Sequence, residues 1–124
     1  MSDTSKEWLH KAENDFNSAR HELVVPNYDL VCFLCQQCIE KMMKGILIQH
    51  KQIPPRTHNL VELEERLAPL LGEDRAISPD DLALLTRGAV EFRYPGEDAA
   101  AEEAEEAFEI CSEIRAELLS YFSE

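Results

Sequence analysis

The chain has 124 residues, of which 12 are basic and 25 acidic, so its formal net charge at pH 7 is −13. We expect one domain spanning residues 1–124, and the negative charge argues against sequence-blind binding of nucleic acid, which requires a positive surface. The chain contains no run of about eighteen apolar residues, the length that a helix needs to cross a membrane, and no apolar signal core lies near its start. A cytoplasmic protein is therefore expected.

Two apolar patterns joined by a short connection predict the first two helices. The first is expected to begin near Thr4 and to end before Pro26, because apolar residues recur every three or four positions between them. The second is expected to be capped by Asn27 or Asp29 and to run to about His50. It is apolar on most of its circumference, which is typical of a helix at the centre of a protein.

Three further helices are predicted. The third opens near residues 57–59 and ends at Gly72, and Ser78-Pro79 starts the fourth with a hydroxyl cap and a proline in the first turn. Pro95-Gly96 ends the fourth helix, and the fifth runs over about residues 98–122. Since no strand pattern is present, we predict an all-α fold, an up-and-down bundle of four to five helices whose first two form an antiparallel hairpin.

The last of these helices concentrates negative charge. Nine acidic residues lie between Glu97 and Glu117. The simpler interpretation is a solvated face that keeps the protein soluble. The alternative is a docking surface for a basic partner.

Four cysteines occur, three of them in a C-x-x-C-x-x-C run at Cys32, Cys35 and Cys38, with Cys111 near the end. Such a run could suggest an iron–sulfur site. Within a continuous helix, however, this spacing spreads the three side chains over about 120° of the surface, which does not suit one cluster. We therefore predict buried, reduced thiols and no metal site.

A polar stripe interrupts the apolar second helix. Gln37, Glu40, Lys41 and Lys44 follow one another at i, i+3, i+4 and i+7, which places them on one side. Burying such charges without partners is costly. The stripe is therefore either a structural ion-pair seam or the floor of a site.

Two other polar motifs lie outside this helix, Thr57-His58-Asn59-Leu60 and Arg93-Tyr94-Pro95. Each has a structural interpretation, the first as a helix cap and the second as a partner for the last carbonyls of the fourth helix. Together with Lys41 and Lys44, they suggest a groove in which cationic side chains hold a phosphate or nucleotide. Glu40 and Gln37 would orient these groups, and Tyr94 would stack on a base.

These residues belong to four short motifs: Trp8-Leu9-x-x-Ala12, Gln36-Gln37-Cys38-Ile39-Glu40-Lys41-Met42-Met43-Lys44, Pro55-x-Thr57-His58-Asn59-Leu60 and Phe92-Arg93-Tyr94-Pro95. In order and spacing they resemble the HEPN domain (higher eukaryotes and prokaryotes nucleotide-binding). The resemblance implies a four- to five-helix bundle and a homodimer. It also implies a cytoplasmic prokaryotic protein that is often paired with a small nucleotidyltransferase in a toxin–antitoxin-like system.

Many HEPN proteins are metal-independent ribonucleases with an Arg-x4–6-His motif, in which histidine is the acid or base and arginine steadies the phosphate. Here the positions after Arg93 that should hold histidine are Asp98, Ala99 and Ala100. The absence of the motif argues against an enzyme. We therefore expect a nucleotide-binding module, or an accessory to a nucleotidyltransferase, with no cofactor beyond the nucleotide itself.

Two alternatives remain. One is a ribonuclease with a divergent site, in which His58 replaces the missing histidine and acts with Arg93. The other is a purely structural dimeric interaction protein, in which the polar stripe forms a seam between subunits.

Overall fold

The computed structural model describes residues 2–72 and 75–122. Five helices follow one another, and the described residues contain no strand: α1 (Asp3–Val24), α2 (Tyr28–Gln49), α3 (Leu60–Leu71), α4 (Pro79–Glu91) and α5 (Ala101–Leu119). The predicted all-α bundle is confirmed. Among the described residues, no helix is both long enough and apolar enough to cross a membrane.

The second helix is central, as its apolar circumference predicts. It packs against each of the other four helices. The side chains of Ile39, Met42, Met43 and Ile46 are fully buried. Three of its polar residues, Gln36, Glu40 and Lys44, are buried as well, and their partners decide what they do.

The first two helices form the expected antiparallel hairpin and approach each other closely. Ser5 is fully buried and donates a hydrogen bond from its hydroxyl to the carbonyl of Gly45, at 3.0 Å. A Cβ on Gly45 would lie 3.0 Å from the Cβ of Trp8. A side chain at position 45 would therefore have to displace its neighbours, and glycine is the residue that fits this crossing without strain.

The starts of α2 and α4 agree with the predicted caps, whereas the start of α5 does not. Asn27, one of the two predicted caps of α2, occupies the cap position, although its side chain makes no capping hydrogen bond. Asp29 lies inside α2, and its Oδ1 accepts a hydrogen bond from the backbone N–H of Ala99 at 2.7 Å. This bond holds the chain before α5 in an extended conformation, so that α5 begins at Ala101 rather than near Asp98. Ser78 occupies the predicted cap position of α4, but its side chain makes no capping hydrogen bond.

All four cysteines are buried and unbridged, as predicted. Burial, with the nearby charges of Glu103 and Asp29, raises the pKa of Cys32 to about 11. This thiol therefore stays protonated at neutral pH and behaves as a small apolar side chain.

Candidate functional site

Three polar side chains of α2 form a buried ladder along one side of the helix. Gln36, Glu40 and Lys44 follow at i, i+4 and i+8, and their exposed fractions are 1%, 5% and 8%. Gln36 Nε2 donates to Glu40 Oε1 at 3.0 Å, and Lys44 Nζ donates to Glu40 Oε2 at 3.0 Å. The carboxylate of Glu40 is thus paired inside the chain.

The connection between α2 and α3 completes this network. His58 Nδ1 lies 2.8 Å from Glu40 Oε1. Gln36 Nε2 also donates to the backbone carbonyl of His58, at 2.8 Å. Two side chains of α2 therefore fix both the backbone and the ring of one loop residue, although most of that ring's side-chain surface remains exposed.

The ionisation of Glu40 determines which ring nitrogen of His58 carries a proton. Burial disfavours the charged carboxylate, but hydrogen bonds from Gln36, His58 and Lys44 outweigh burial and hold the pKa of Glu40 below its usual value. An ionised carboxylate only accepts hydrogen bonds, so Nδ1 of His58 must be the donor. Nε2 is left without a partner among the described residues, and the His58 side chain is 81% exposed.

The same loop is anchored at the start of α3. Asn59 caps the helix, since its Oδ1 accepts from the N–H of Val61 at 3.0 Å. The N–H of Leu60 donates to Thr86 Oγ1 of α4 at 3.1 Å. These bonds link α2, α3 and α4 around His58.

A cavity of about 220 Å³ opens beside this network. Side chains from α2, the loop and α4 surround it, among them Phe33, Gln37, His58, Thr86, Val90 and Arg93. Gln37 Nε2 donates to Gln36 Oε1 at 2.8 Å, which ties this wall to the buried ladder. The cavity thus brings together one guanidinium, one imidazole and two amides, those of Gln36 and Gln37.

Arg93 stands at the edge of a second hollow. Its guanidinium lies over the ring of Phe33, 5.4 Å from the ring centroid, a cation–π contact. Arg93 and Phe33 line both the cavity and the adjoining hollow of about 370 Å³, which is bordered also by apolar Leu30 and Phe92 and by polar Asn27 and Asp29. A ligand held by Arg93 therefore has an apolar surface next to it.

Metal ligation has no geometric basis in the described part of the chain. Residues 2–72 and 75–122 contain no group of three or more His, Cys, Asp or Glu side chains placed to hold a metal ion. What the arrangement offers is hydrogen bonding and positive charge for an anion, together with one oriented imidazole.

Comparison with known proteins assigns the chain to a family. The model of the HEPN domain matches residues 5–121. The chain belongs to the HEPN family. This match confirms the resemblance carried by the four sequence motifs.

Two solved structures are similar to this HEPN domain over nearly their full lengths. TT1696 from Thermus thermophilus is 23% identical, with a TM-score of 0.81, and the match covers 98% of this chain and 100% of that one. ST0689, an archaeal HEPN homologue, is 26% identical, with a TM-score of 0.75 and coverage of 96% and 98%. No curated protein matches the sequence.

The structure brings together only part of the predicted site of this HEPN domain. Gln37, His58 and Arg93 line the cavity, whereas Lys41 and Lys44 do not. Lys41 forms an ion pair with Asp15 of α1 at 2.6 Å, and Lys44 is buried against Glu40. Neither ammonium group is therefore available to a ligand in this cavity.

Glu40 and Tyr94 also lie outside the cavity lining. Glu40 contacts His58, which does line the cavity. Tyr94 is 64% exposed beyond the end of α4. Arg93 contacts the Phe33 ring, and its backbone N–H donates to the carbonyl of Val90 at 3.3 Å.

Sequence reasoning did not single out three residues that shape the site: Gln36, Phe33 and Thr86. Gln36 has the clearest signal, because it lies four residues before Glu40 on an otherwise apolar helix. Phe33 and Thr86 carry no distinct local signal. Their roles depend on the packing of α2 against α4 and on the docking of the loop.

Proposed function

We propose that the cavity between α2, α4 and the α2–α3 loop binds the phosphate group of a nucleotide. The observation that carries the proposal is the joint presence in this cavity of the Arg93 guanidinium and of His58 held through Nδ1 by a buried carboxylate. A guanidinium suits phosphate because its planar set of N–H donors matches phosphate oxygens. The fixed orientation of the imidazole lowers the entropic cost of binding.

Local charge supports an anionic ligand despite the net charge of −13. The negative charge of Glu40 is offset by Lys44, so the ladder adds little negative potential at the cavity. None of the ion pairs within residues 2–72 and 75–122 involves Arg93, and Asp29, which borders the adjoining hollow, accepts a hydrogen bond from the backbone N–H of Ala99. The charge of Arg93 is therefore available to a bound phosphate.

The size of the site favours a nucleotide that spans two hollows. The cavity beside His58, at about 220 Å³, is small compared with typical ligand pockets. The adjoining hollow shares Phe33 and Arg93 with it. We place the phosphate between His58 and Arg93 and the nucleoside in the adjoining hollow.

Titration of the purified protein with ATP tests the proposal. Saturable binding below millimolar concentration is expected, and Arg93→Ala should weaken it by about 10- to 100-fold, the loss typical of a hydrogen bond to a charged group. Arg87→Ala is the matched control, because Arg87 is an exposed arginine like Arg93 but lines a different cavity. No saturable binding, or equal losses in the two variants, would contradict the proposal.

The wider biological setting is proposed from family membership. We propose a homodimer in a prokaryotic cytoplasm that serves a small nucleotidyltransferase partner in a toxin–antitoxin-like system. Val90 and Tyr94, exposed by 55% and 64%, offer apolar surface beside the cavity for such contacts. Light scattering measures the subunit number, and co-purification with the product of an adjacent nucleotidyltransferase gene tests the partnership.

A second function is favoured by one observation, the free Nε2 of His58. An imidazole held through Nδ1 by a carboxylate is the arrangement of a general acid or base, and Arg93 would stabilise the charge that develops on the phosphate in the transition state. This would be metal-independent cleavage of RNA. Cleavage that disappears in both His58→Ala and Arg93→Ala would support it, and intact RNA after long incubation would exclude it.

The purely structural alternative has less support. A seam between subunits would need the charges of Glu40 and Lys44 at the surface, but both residues are buried and bonded to each other within one chain.

A further inference from the structure

A separate cavity of about 160 Å³, the α4–α5 groove, lies where α4 and α5 pack against the start of α2. Its apolar wall includes Cys32, Leu85, Phe92 and Ala107, all of which are buried. An apolar cavity of about 150 Å³ is large enough for a benzene ring. The space therefore matches one large apolar side chain.

The polar side chains around this cavity are mostly acidic. Glu91 of α4 and Glu103 and Glu106 of α5 line it together with Arg87. Three carboxylates and one guanidinium leave a net charge of −2 at the opening. Burial, together with the nearby charge of Glu103, raises the pKa of Cys32 in the cavity wall.

The surface beyond the opening has the same sign. Exposed glutamates continue along α5 at Glu102, Glu105, Glu109 and Glu113. Arg115 is the one basic residue of α5, and it is paired with Glu13 of α1. A ligand approaching this groove therefore meets a field that favours positive charge.

This groove is distinct from the proposed nucleotide site. The groove shares no lining residue with the cavity beside His58, and it shares only Phe92 with the adjoining hollow. Arg87, Gly88 and Glu91 lie on one flank of the buried face of α4, whereas Thr86 and Val90 lie on the other. A ligand in one cavity does not occupy the other.

We propose that the α4–α5 groove binds a basic segment of a partner protein, which inserts one leucine or phenylalanine side chain between the helices and places lysine or arginine residues against Glu91, Glu103 and Glu106. The apolar wall supplies burial for the anchoring side chain, and the carboxylates select the charge of its neighbours.

Charge complementarity identifies this occupant among the alternatives. A second copy of the chain would bring its own charge of −13 toward the same acidic face, and like charges across an interface oppose association. Nucleic acid is repelled for the same reason. A basic polypeptide satisfies both the charge and the apolar wall.

Fluorescence anisotropy with two labelled peptides tests the proposal at low salt. One carries a central phenylalanine between two pairs of lysines, and the other has glycine in place of the phenylalanine. Burial of the aromatic side chain should make the first bind at least about tenfold more tightly. Equal affinities would overturn the proposal, because they would show charge attraction alone.

Matched protein variants separate the groove from the general acidity of α5. Glu91→Gln combined with Glu106→Gln removes two charges from the opening, and Glu105→Gln combined with Glu109→Gln removes two exposed charges elsewhere. The first pair should weaken the phenylalanine peptide by about tenfold and the second by less than about threefold. Equal weakening would refute the groove, and ATP binding should be unchanged in both, which distinguishes this result from failure of the nucleotide proposal.

Discussion

Replacing Glu40 by glutamine removes a buried negative charge while preserving the shape of the side chain. The carboxylate accepts hydrogen bonds from Gln36, His58 and Lys44. An amide can accept at one oxygen only, so its NH2 group would face a donor. Lys44 would then be left buried without a counter-charge.

The size of the effect follows from the burial of this pair. Removing one partner of a buried ion pair costs about 3–5 kcal/mol. The side chain of Lys44 keeps 10% of its surface exposed, which relieves part of the penalty. We therefore expect Glu40→Gln to lower the free energy of unfolding at pH 7 by about 3 kcal/mol, and Glu40→Gln combined with Lys44→Met to recover most of the loss.

The effect should also depend on pH. The folded-state pKa of Glu40 lies below its ordinary value of 4.5, so the stability it contributes is present above about pH 4.5 and is lost as pH falls through the folded-state pKa. The difference in unfolding free energy between wild type and Glu40→Gln should therefore shrink below about pH 4.5.

Urea unfolding followed by circular dichroism at several pH values measures these differences. Glu65→Gln, at an exposed position on α3, is the control and should change stability by less than about 0.5 kcal/mol. The reasoning would be refuted if Glu40→Gln were as stable as the wild type at pH 7, or if the difference in unfolding free energy between the two stayed constant as the pH falls below about 4.5.

Two further predictions concern packing and the lysine outside the cavity. In urea unfolding, Gly45→Ala should lower the free energy of unfolding by about 1–3 kcal/mol, because the new Cβ would lie 3.0 Å from Trp8. Gly88→Ala should raise it by about 0.5–1 kcal/mol, because the nearest neighbour there is Cys32 at 3.6 Å and alanine favours the helix. The opposite order of stabilities would contradict the packing. Lys41→Ala should change ATP affinity by less than about twofold and stability by at most about 1 kcal/mol, since its ion pair with Asp15 is partly exposed; a large loss of ATP affinity would place Lys41 in the site.

The number and order of the helices were predictable because each apolar pattern is local. Sequence periodicity predicted the central place of α2, and the start of α4 follows from proline at its first position. The start of α5 was predicted incorrectly, because it depends on a hydrogen bond between Asp29 and Ala99, which are 70 residues apart. No local pattern contains that contact.

The site was harder to predict for the same reason. Helical spacing placed Lys41 beside Glu40, but spacing does not say which neighbouring helix offers a carboxylate, and Asp15 of α1 pairs with Lys41. Conversely, the loop position of His58 gave no indication that its ring bonds to Glu40. The role of Gln36 in the network was not predicted, because an uncharged side chain on an apolar helix does not by itself indicate a buried hydrogen-bond partner.

The attachment of His58 to α2 has a consequence for the motions of the loop. The N–H groups of Leu60 and Val61 are bonded to Thr86 and Asn59, so their exchange with solvent deuterium requires the start of α3 to open. An anion that binds only the closed loop slows that opening in proportion to its saturation. The exchange rates of these two amides would thus report how much of the protein carries a bound anion, and hydrogen–deuterium exchange would measure them without any label on the ligand.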